Sequence, residues 1–389
     1  MNICMVDPLF YPYFGGTEKV VYEVGKRLAK RDDFEVSILT SQIPGTPRKE
    51  EKDGMVIHRV PCLYFKDLPA FLPPPFSIAP TLILELLKRK EADAIHFHNR
   101  FWYYAPTLST AKWVMGKKLL LTIHNARPGG DVSIDTATDF SAGLYDTTMG
   151  RVFFEMMDRI HCVSEHACEV TIPKSLRSKS QVIYNGVDTA NFNPEKGRGS
   201  VREKFGIGQG DQMILSNGRL ITQKGFKYLI DGFADVKKEY PNAKLVVIGK
   251  GPLKEKLHER AKKRGLEGSF FTTTGIPEEE LPLYYNAADL FVLASLYEPS
   301  AVVLYEALSA GKPIVATRIG GNPEIVSSDC GLMAEARSPD SLRDRMLELL
   351  GDEQKMKVMS QESRKRAVEN FDWDIIASKW AVMYKDVLT

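Results

Sequence analysis

Short apolar runs, four to six residues long, recur along this sequence, and between several of them lie segments whose apolar residues return every three or four positions. In the first half the runs are Ile3–Val6, Glu35–Leu39, Met55–Val60, Ala94–Phe97, Lys118–Ile123, Ile160–Val163 and Gln181–Tyr184, with helical patterns at Thr17–Lys30 and Ala79–Arg89. The second half repeats the scheme with runs at Met213–Ser216, Leu245–Ile248, Phe270–Thr273, Leu290–Leu293 and Ile314–Thr317 and helical patterns at Phe226–Glu239, Leu253–Arg264, Glu279–Asn286 and Pro299–Ala310. Strand and helix in alternation mean a parallel sheet with helices on both faces. Two such series predict an α/β chain of two doubly wound parallel-sheet domains. Asn185–Gln212, rich in Gly, Asn, Pro and Lys, reads as the linker. Ligands of open α/β sheets bind beyond the carboxyl ends of the strands, so two facing sheets predict an interdomain cleft that holds the site.

Composition limits the function classes. A length of 389 residues suits two domains, and 43% hydrophobic residues are enough for proper cores. A net charge of +2 points to neither a nucleic-acid binder nor an acidic tail. No apolar run approaches the ~20 residues of a membrane helix, and MNICMVDPLF starts a strand at once without a basic-then-apolar leader. The five cysteines form no CxxC pair, and Cys4 and Cys162 sit inside buried-strand patterns, so free thiols in a reducing cytoplasm are expected.

The stretch Leu290–Val326 carries the chemistry. An apolar run leads to an amphipathic segment opened by Pro299 and stopped by Gly311 and Pro313, then to a second apolar run. Glu298 stands just before this helical pattern and Glu306 two turns into it. On one continuous helix their backbones would lie about 12 Å apart, a spacing that suits the two ends of an elongated polyhydroxylated ligand. The first-turn amides of Ser300, Ala301 and Val302 would favour negative charge between them. Ordinary surface charge is the competing explanation of two glutamates.

Three further segments fall at the carboxyl ends of strands. In Tyr11–Glu18, the pair Gly15-Gly16 precedes a helix and lets backbone amides approach a phosphate, or is a plain flexible turn. In Ser216–Gly225, Arg219 and Lys224 put a forked donor and a point charge on a glycine-bounded loop, which suits a diphosphate; solvation is the common fate of such residues. In Leu119–Asn125, His124 ends an apolar strand, as a polar group delivered to the cleft or as a cap. GxGxxG and GxxxxGK[ST] are absent, which disfavours a dinucleotide fold or a P-loop ATPase.

GGTE at 15–18, NGVD at 185–188, GRLITQKG at 218–225, EPSAVVLYE at 298–306 and GGNPEIV at 320–326 resemble the motifs of glycosyltransferase family 4, retaining enzymes of the GT-B fold that use nucleotide-diphosphate sugars. The resemblance covers nearly the whole chain, and Glu298 and Glu306 match its E-x7-E motif. It implies that Arg219 and Lys224 hold the donor diphosphate, Glu306 the ribose and Glu298 the sugar hydroxyls. It also implies a phosphate on the Gly15 and Gly16 amides, donor contacts at Ser300, Ala301, Val302 and Val303, and His124 near the transferred sugar. Residues 1–186, joined by a returning helix over 371–389, would form the acceptor-side domain, and 187–370 the nucleotide-sugar domain. Many members have Phe-Gly where this chain has Ser300-Ala301, so sugar selectivity does not carry over.

The expected reaction is hexosyl transfer from a nucleotide-diphosphate sugar to a sugar or lipid-linked acceptor, with retained configuration, no cofactor and no nucleic-acid partner. No aspartate-rich stretch points to a chelated metal, so the two cations would replace one, and His96 and His98 share a strand face without a third ligand. The resemblance implies front-face attack, with covalent catalysis by Glu298 as the alternative. On the acceptor side, Tyr64–Phe76 and Phe101–Tyr104 are aromatic-rich, and Lys88, Arg89 and Lys90 close an amphipathic segment. Phe71, Leu72 and Phe76 tilt the expectation towards peripheral membrane contact and a cytoplasmic protein at the membrane surface. A GT-B nucleotide-sugar epimerase and a non-catalytic sugar-nucleotide-binding protein stay open as alternatives.

Overall fold

The apolar runs of the first half become strands of one sheet. The computed structural model describes residues 1–13, 15–65, 76–98, 104–124 and 149–389. Its strands are β1 (Asn2–Val6), β2 (Glu35–Gln42), β3 (Lys49–Lys52), β4 (Met55–Pro61), β5 (Leu63–Phe65), β6 (Phe76–Ile78), β7 (Ala94–His98), β8 (Lys118–Ile123), β9 (Arg159–Cys162) and β10 (Ser180–Val182), followed by β11 (Met213–Asn217), β12 (Lys244–Ile248), β13 (Phe270–Thr273), β14 (Leu290–Leu293), β15 (Ile314–Thr317) and β16 (Gly331–Ala334). The chain divides into two units, Met1–Tyr184 with Trp373–Thr389, and Asn185–Asp372.

The first unit holds an eight-stranded sheet in the order β10-β9-β8-β7-β1-β2-β4-β3, while β5 pairs with β6 in a small ribbon. The sheet is parallel except for β3, which runs against β4. That edge strand reads KEEK, so no apolar period announces it, and charge on an edge discourages further pairing. Asp53 and Gly54, both left-handed (φ 51° and 81°), close its two-residue hairpin.

One face of this sheet is covered by two helices far apart in sequence. Helix Gly16–Leu28 buries Val20, Val21, Val24 and Leu28, and helix Trp373–Leu388 buries Trp373, Ile376, Trp380, Tyr384 and Val387, the stripe of a 3.6-residue period. Both stripes join one core with Met5, Ile38 and Ile57. Arg27 Nε donates to Asp374 Oδ1 at 2.5 Å beside it. Helix Trp373–Leu388 thus belongs to the first unit.

Three corrections follow. The domain boundaries fall at 184/185 and 372/373, two residues from those expected. Asn185–Gln212 is no free linker but part of the second unit: Val187 N donates to Phe371 O at 2.8 Å, and Arg364 Nη1 reaches the carbonyls of Thr189, Phe192 and Ser309. Cys162 and Cys168 are joined in a disulfide, because the end of β9 and helix Glu165–Thr171 bring their Cα atoms to 5.6 Å; Cys4, Cys62 and Cys330 are free.

Buried under Trp380 is a polar chain of fixed direction. The Ile183 carbonyl can only accept, so His161 Nε2 carries a proton and donates to it at 2.8 Å. His161 Nδ1 then accepts from the Thr122 hydroxyl at 2.9 Å, Thr122 accepts from His96 Nε2 at 2.7 Å, and His96 Nδ1 accepts from the Tyr384 hydroxyl at 2.6 Å. Burial holds these histidines neutral, lowering His96 well below its usual value and His161 to about 4.

The second unit is an all-parallel sheet in the order β13-β12-β11-β14-β15-β16. The chain leaves central β11 to one side for β12 and β13, then crosses to β14, which makes the carboxyl ends of β11 and β14 a switch point. Two glycines let loops close onto β14's exit. Gly225, left-handed at φ 65°, opens helix Phe226–Glu239, and a Cβ there would lie 1.9 Å from Ala294 O. Gly320, at φ 51°, would put one 1.9 Å from Glu298 O.

Two outcomes are expected. Gly320→Ala should destabilise the protein by more than the about 1–3 kcal/mol of left-handed backbone strain. Gly206→Ala, at φ 62° in open space, should show that strain alone; equal thermal midpoints for the two variants would rule out the close approach. Unfolding of the first unit should also depend on pH. His161 has a folded value of about 4 against an ordinary 6.5. The unfolded chain takes up the proton first, so the stability present above pH 6.5 is lost as pH falls towards 4. At pH 5 this histidine alone should cost about 2 kcal/mol. Tryptophan fluorescence in urea at pH 7 and pH 5 measures it, since Trp102, Trp113, Trp373 and Trp380 all lie in the first unit's sequence.

Candidate functional site

The loops that leave β11 and β14 meet at the switch point of the second unit. The first, residues 218–225, carries Arg219, which is exposed, and Lys224. The second carries Glu298, only 5% exposed. Their backbones are joined by Leu296 N donating to Gln223 O at 2.7 Å, and Gln223 Nε2 donates to Tyr297 O at 3.2 Å. With the loops so held, Lys224 Nζ pairs with Glu298 Oε1, and the Ser295 hydroxyl donates to the same oxygen at 2.7 Å. Both partners satisfy a carboxylate oxygen that burial takes out of water.

The helix after Glu298 begins later than its sequence suggests. It spans Val302–Ser309, with Ala301 as an extended N-cap residue. Two facts delay it. A residue before proline is pushed from helical to extended backbone, here Glu298 before Pro299. The Glu298 carbonyl is also turned to Gly321 N, which donates to it at 3.1 Å. Ser300 and Ala301 therefore belong to the turn, and Glu298 and Glu306 do not share one helix. The first-turn amides, Val302 and Val303 among them, still open the helix beside Glu298 and favour an anion.

Glu306, 6% exposed, lies on that helix. It accepts from the Tyr285 hydroxyl at 2.7 Å, and Tyr285 in turn accepts from Asn217 Nδ2 at 3.1 Å. Burial, then the Glu306 charge, pushes the Tyr285 phenol well above its usual range, so it stays a donor. Ser300 Oγ accepts from Asn185 Nδ2 at 3.2 Å and lies 2.9 Å from the Tyr305 hydroxyl. Sequence reasoning missed Ser295, Gln223 and Tyr285. The partners of Gln223 and Tyr285 lie in other loops or helices, whereas Ser295 bonds to Glu298 three residues on within its own loop.

The remaining expected residues belong to the first unit. Gly15 N donates to Glu18 Oε2 at 3.0 Å, so that amide is engaged by the helix's own acid, while Gly16 starts the helix. Asp7, at the end of β1, is buried, and burial together with the Glu18 charge raises its carboxyl well above the usual range. His124 follows β8, 8% exposed, and its Nε2 lies 2.9 Å from His98 Nδ1. Lys88 and Arg89 both reach Glu85, at 2.7 and 3.9 Å, which tempers the basic cluster. Residues 66–75 and 99–103, with Phe71 and Leu72, lie outside the described residues, as does the Phe76 side chain. Among the described residues, no helix is long and apolar enough to cross a membrane, and no three His, Cys, Asp or Glu side chains gather as a metal site.

Residues 14–191 match the family model for Glycosyltransferase Family 4, and residues 198–366 that for Glycosyl transferases group 1. N-acetyl-alpha-D-glucosaminyl L-malate synthase of Bacillus anthracis is 26% identical, over 97% of this chain and 96% of its own. Alpha-monoglucosyldiacylglycerol synthase of Streptococcus pneumoniae is 28% identical over 83% and 72%. Sucrose-phosphate synthase from Thermosynechococcus elongatus superposes with a TM-score of 0.77 at 18% identity, over 99% of this chain and 98% of its own. The chain is a glycosyltransferase of the GT-B fold, a Glycosyltransferase Family 4 region followed by a Glycosyl transferases group 1 region.

Proposed function

We propose that this glycosyltransferase moves a hexosyl group from a nucleotide-diphosphate sugar to a sugar or lipid-linked acceptor, retaining anomeric configuration and needing no divalent metal. The observation that carries the reading is the gathering of Lys224, Glu298 and the first-turn amides at one switch point, with Arg219 on the same loop as Lys224. Departure of a nucleoside diphosphate builds negative charge, and preorganised cations with helix amides stabilise it best. Arg219 grips the diphosphate through its forked donors and Lys224 as a point charge. Glu298 takes sugar hydroxyls, and Lys224, bonded to it, links the sugar to the leaving group. Glu306, oriented by Tyr285, takes the ribose. His124 and the Gly15–Gly16 turn serve the same reaction from the first unit. The leaving phosphate takes the acceptor proton in a front-face attack, which leaves Glu298 free of any covalent role.

The relatives' names bear on the two ends of the reaction differently. One names a glucosaminyl group and the other a glucosyl group, which supports a hexose-derived donor. One names malate and the other diacylglycerol, so the acceptor is given only by class.

Calorimetry and a transfer assay test the division of roles. Arg219→Ala should weaken nucleoside-diphosphate binding about 10- to 100-fold, the loss of a charge-assisted fork. Glu306→Gln should weaken that binding too, while Glu298→Gln should spare it and lower transfer. Equal effects of both glutamate variants on nucleotide affinity would overturn the assignment. The anomeric configuration of the product, read by NMR, should match the donor's, with activity undiminished by a chelator. An inverted product would end the retaining reading.

A further inference from the structure

His98 belongs to no motif and to no step proposed above, yet its ring meets that of His124. It ends β7, one strand over from β8, and is fully buried. Its Nδ1 is 2.9 Å from His124 Nε2, and the two rings stack at 5.3 Å with 26° between their planes. Trp380 lies parallel to His98 on the C-terminal helix, 5.9 Å away at 6°, and His96 stacks at 4.6 Å. The ring is thus clamped between aromatic planes and cannot turn without disturbing the core.

We propose that His98 is a positioning residue that fixes the tautomer of His124, so that His124 offers Nδ1–H as a hydrogen-bond donor to an oxygen of the transferred sugar. This rests on the reading of His124 as a sugar contact. The argument is one of proton counting. Both rings are neutral: burial, and then the neighbouring histidines, hold each well below its usual value. One proton therefore sits between His98 Nδ1 and His124 Nε2. His98 Nε2, on the other side of its ring, is buried without a partner among the described residues. Were the shared proton carried by His124, His98 would have to hold its own on Nε2, stranding a buried N–H. Orphaned buried N–H groups are the rarer and costlier case, whereas a bare ring nitrogen is an acceptor left idle. The proton is accordingly on His98 Nδ1, which donates to His124 Nε2. His124 then carries its own proton on Nδ1 and cannot serve there as a base. The neighbouring chain from Tyr384 to Ile183 is already complete through His96, Thr122 and His161, so it offers His98 neither donor nor acceptor.

Nitrogen–proton correlation NMR of the histidines in the full-length protein reads the tautomer directly, with the His124 signals assigned by their loss in His124→Gln. Wild-type His124 should be protonated on Nδ1. His98→Asn, whose amide can donate to the same Nε2, should keep that tautomer and a near-normal transfer rate. His98→Leu should lose the preference and lower kcat about 10- to 100-fold with donor KM little changed, as for a misplaced contact in the transition state. Wild-type His124 protonated on Nε2 would overturn the inference with no variant needed. A His98→Leu protein that keeps both tautomer and kcat would overturn it equally. The expected tautomer in a wild-type protein that transfers no sugar would instead strike the functional reading, and with it the sugar as His124's partner.

Discussion

The second unit buries three carboxylates, Asp231, Glu298 and Glu306, and each is held by an ion pair or a hydrogen bond; Glu298 is the one on which its loops converge. An unpartnered charge buried this deeply costs several kcal/mol. Lys224 and Ser295 remove that penalty: Ser295 is local, three residues back on the exit of β14, while Lys224 must arrive from the loop after β11. The loops can meet only because Gly225 and Gly320 lack side chains where Ala294 and Glu298 present their carbonyls. Ion pair, loop contacts and helix start are one arrangement. The helix begins at Val302 because the Glu298 carbonyl is spent on Gly321. A ligand of this candidate site would meet charges already placed, with little reorganisation left to do.

The sequence disclosed the architecture through its strongest periodicities. Helix Phe226–Glu239 was legible to the residue, since a glycine precedes it and a full amphipathic stripe follows. Most strands that alternate with helices were likewise visible as apolar runs, Gly331–Ala334 excepted. Lys49–Lys52 was not, because an edge strand needs no buried face, although Asp53-Gly54 marked its hairpin. Helices Pro339–Leu350 and Glu353–Asn370 were overlooked despite clear caps: Ser338 Oγ accepts from Ser341 N at 3.1 Å, and Asp352 Oδ1 from Lys355 N at 2.8 Å. The site was legible as a set of residue types at strand ends, and opaque as a set of partners. Lys224 and Glu298 stand 74 residues apart, and which donor meets which acid is decided by loop closure, which no local pattern encodes.

The first unit also pairs its buried charges, Arg59 with Glu50 and Glu23 with Lys26, and it adds a second device. It keeps four buried histidines neutral and satisfies nearly every ring nitrogen by direction alone. Neutral rings packed against Trp380, tilted for His96 and edge-on for His161, have van der Waals contacts and hydrogen bonds together, so the polar chain serves packing as well as solvation of its own groups. The exception, the idle nitrogen of His98, is informative because its neighbours are so completely accounted for.

The placing of Trp380 and Tyr384 also bears on how the protein is made. Tyr384 bonds to His96 across 288 residues of sequence. A ribosome that has finished β1 to β10 has therefore made a sheet with part of one face still bare, which waits while the whole of the second unit is synthesised. The second unit has all its residues by Asp372 and can close first. The first unit thus has all its residues only after the second has been made, and the bare face of its sheet is the part a chaperone would have to shield.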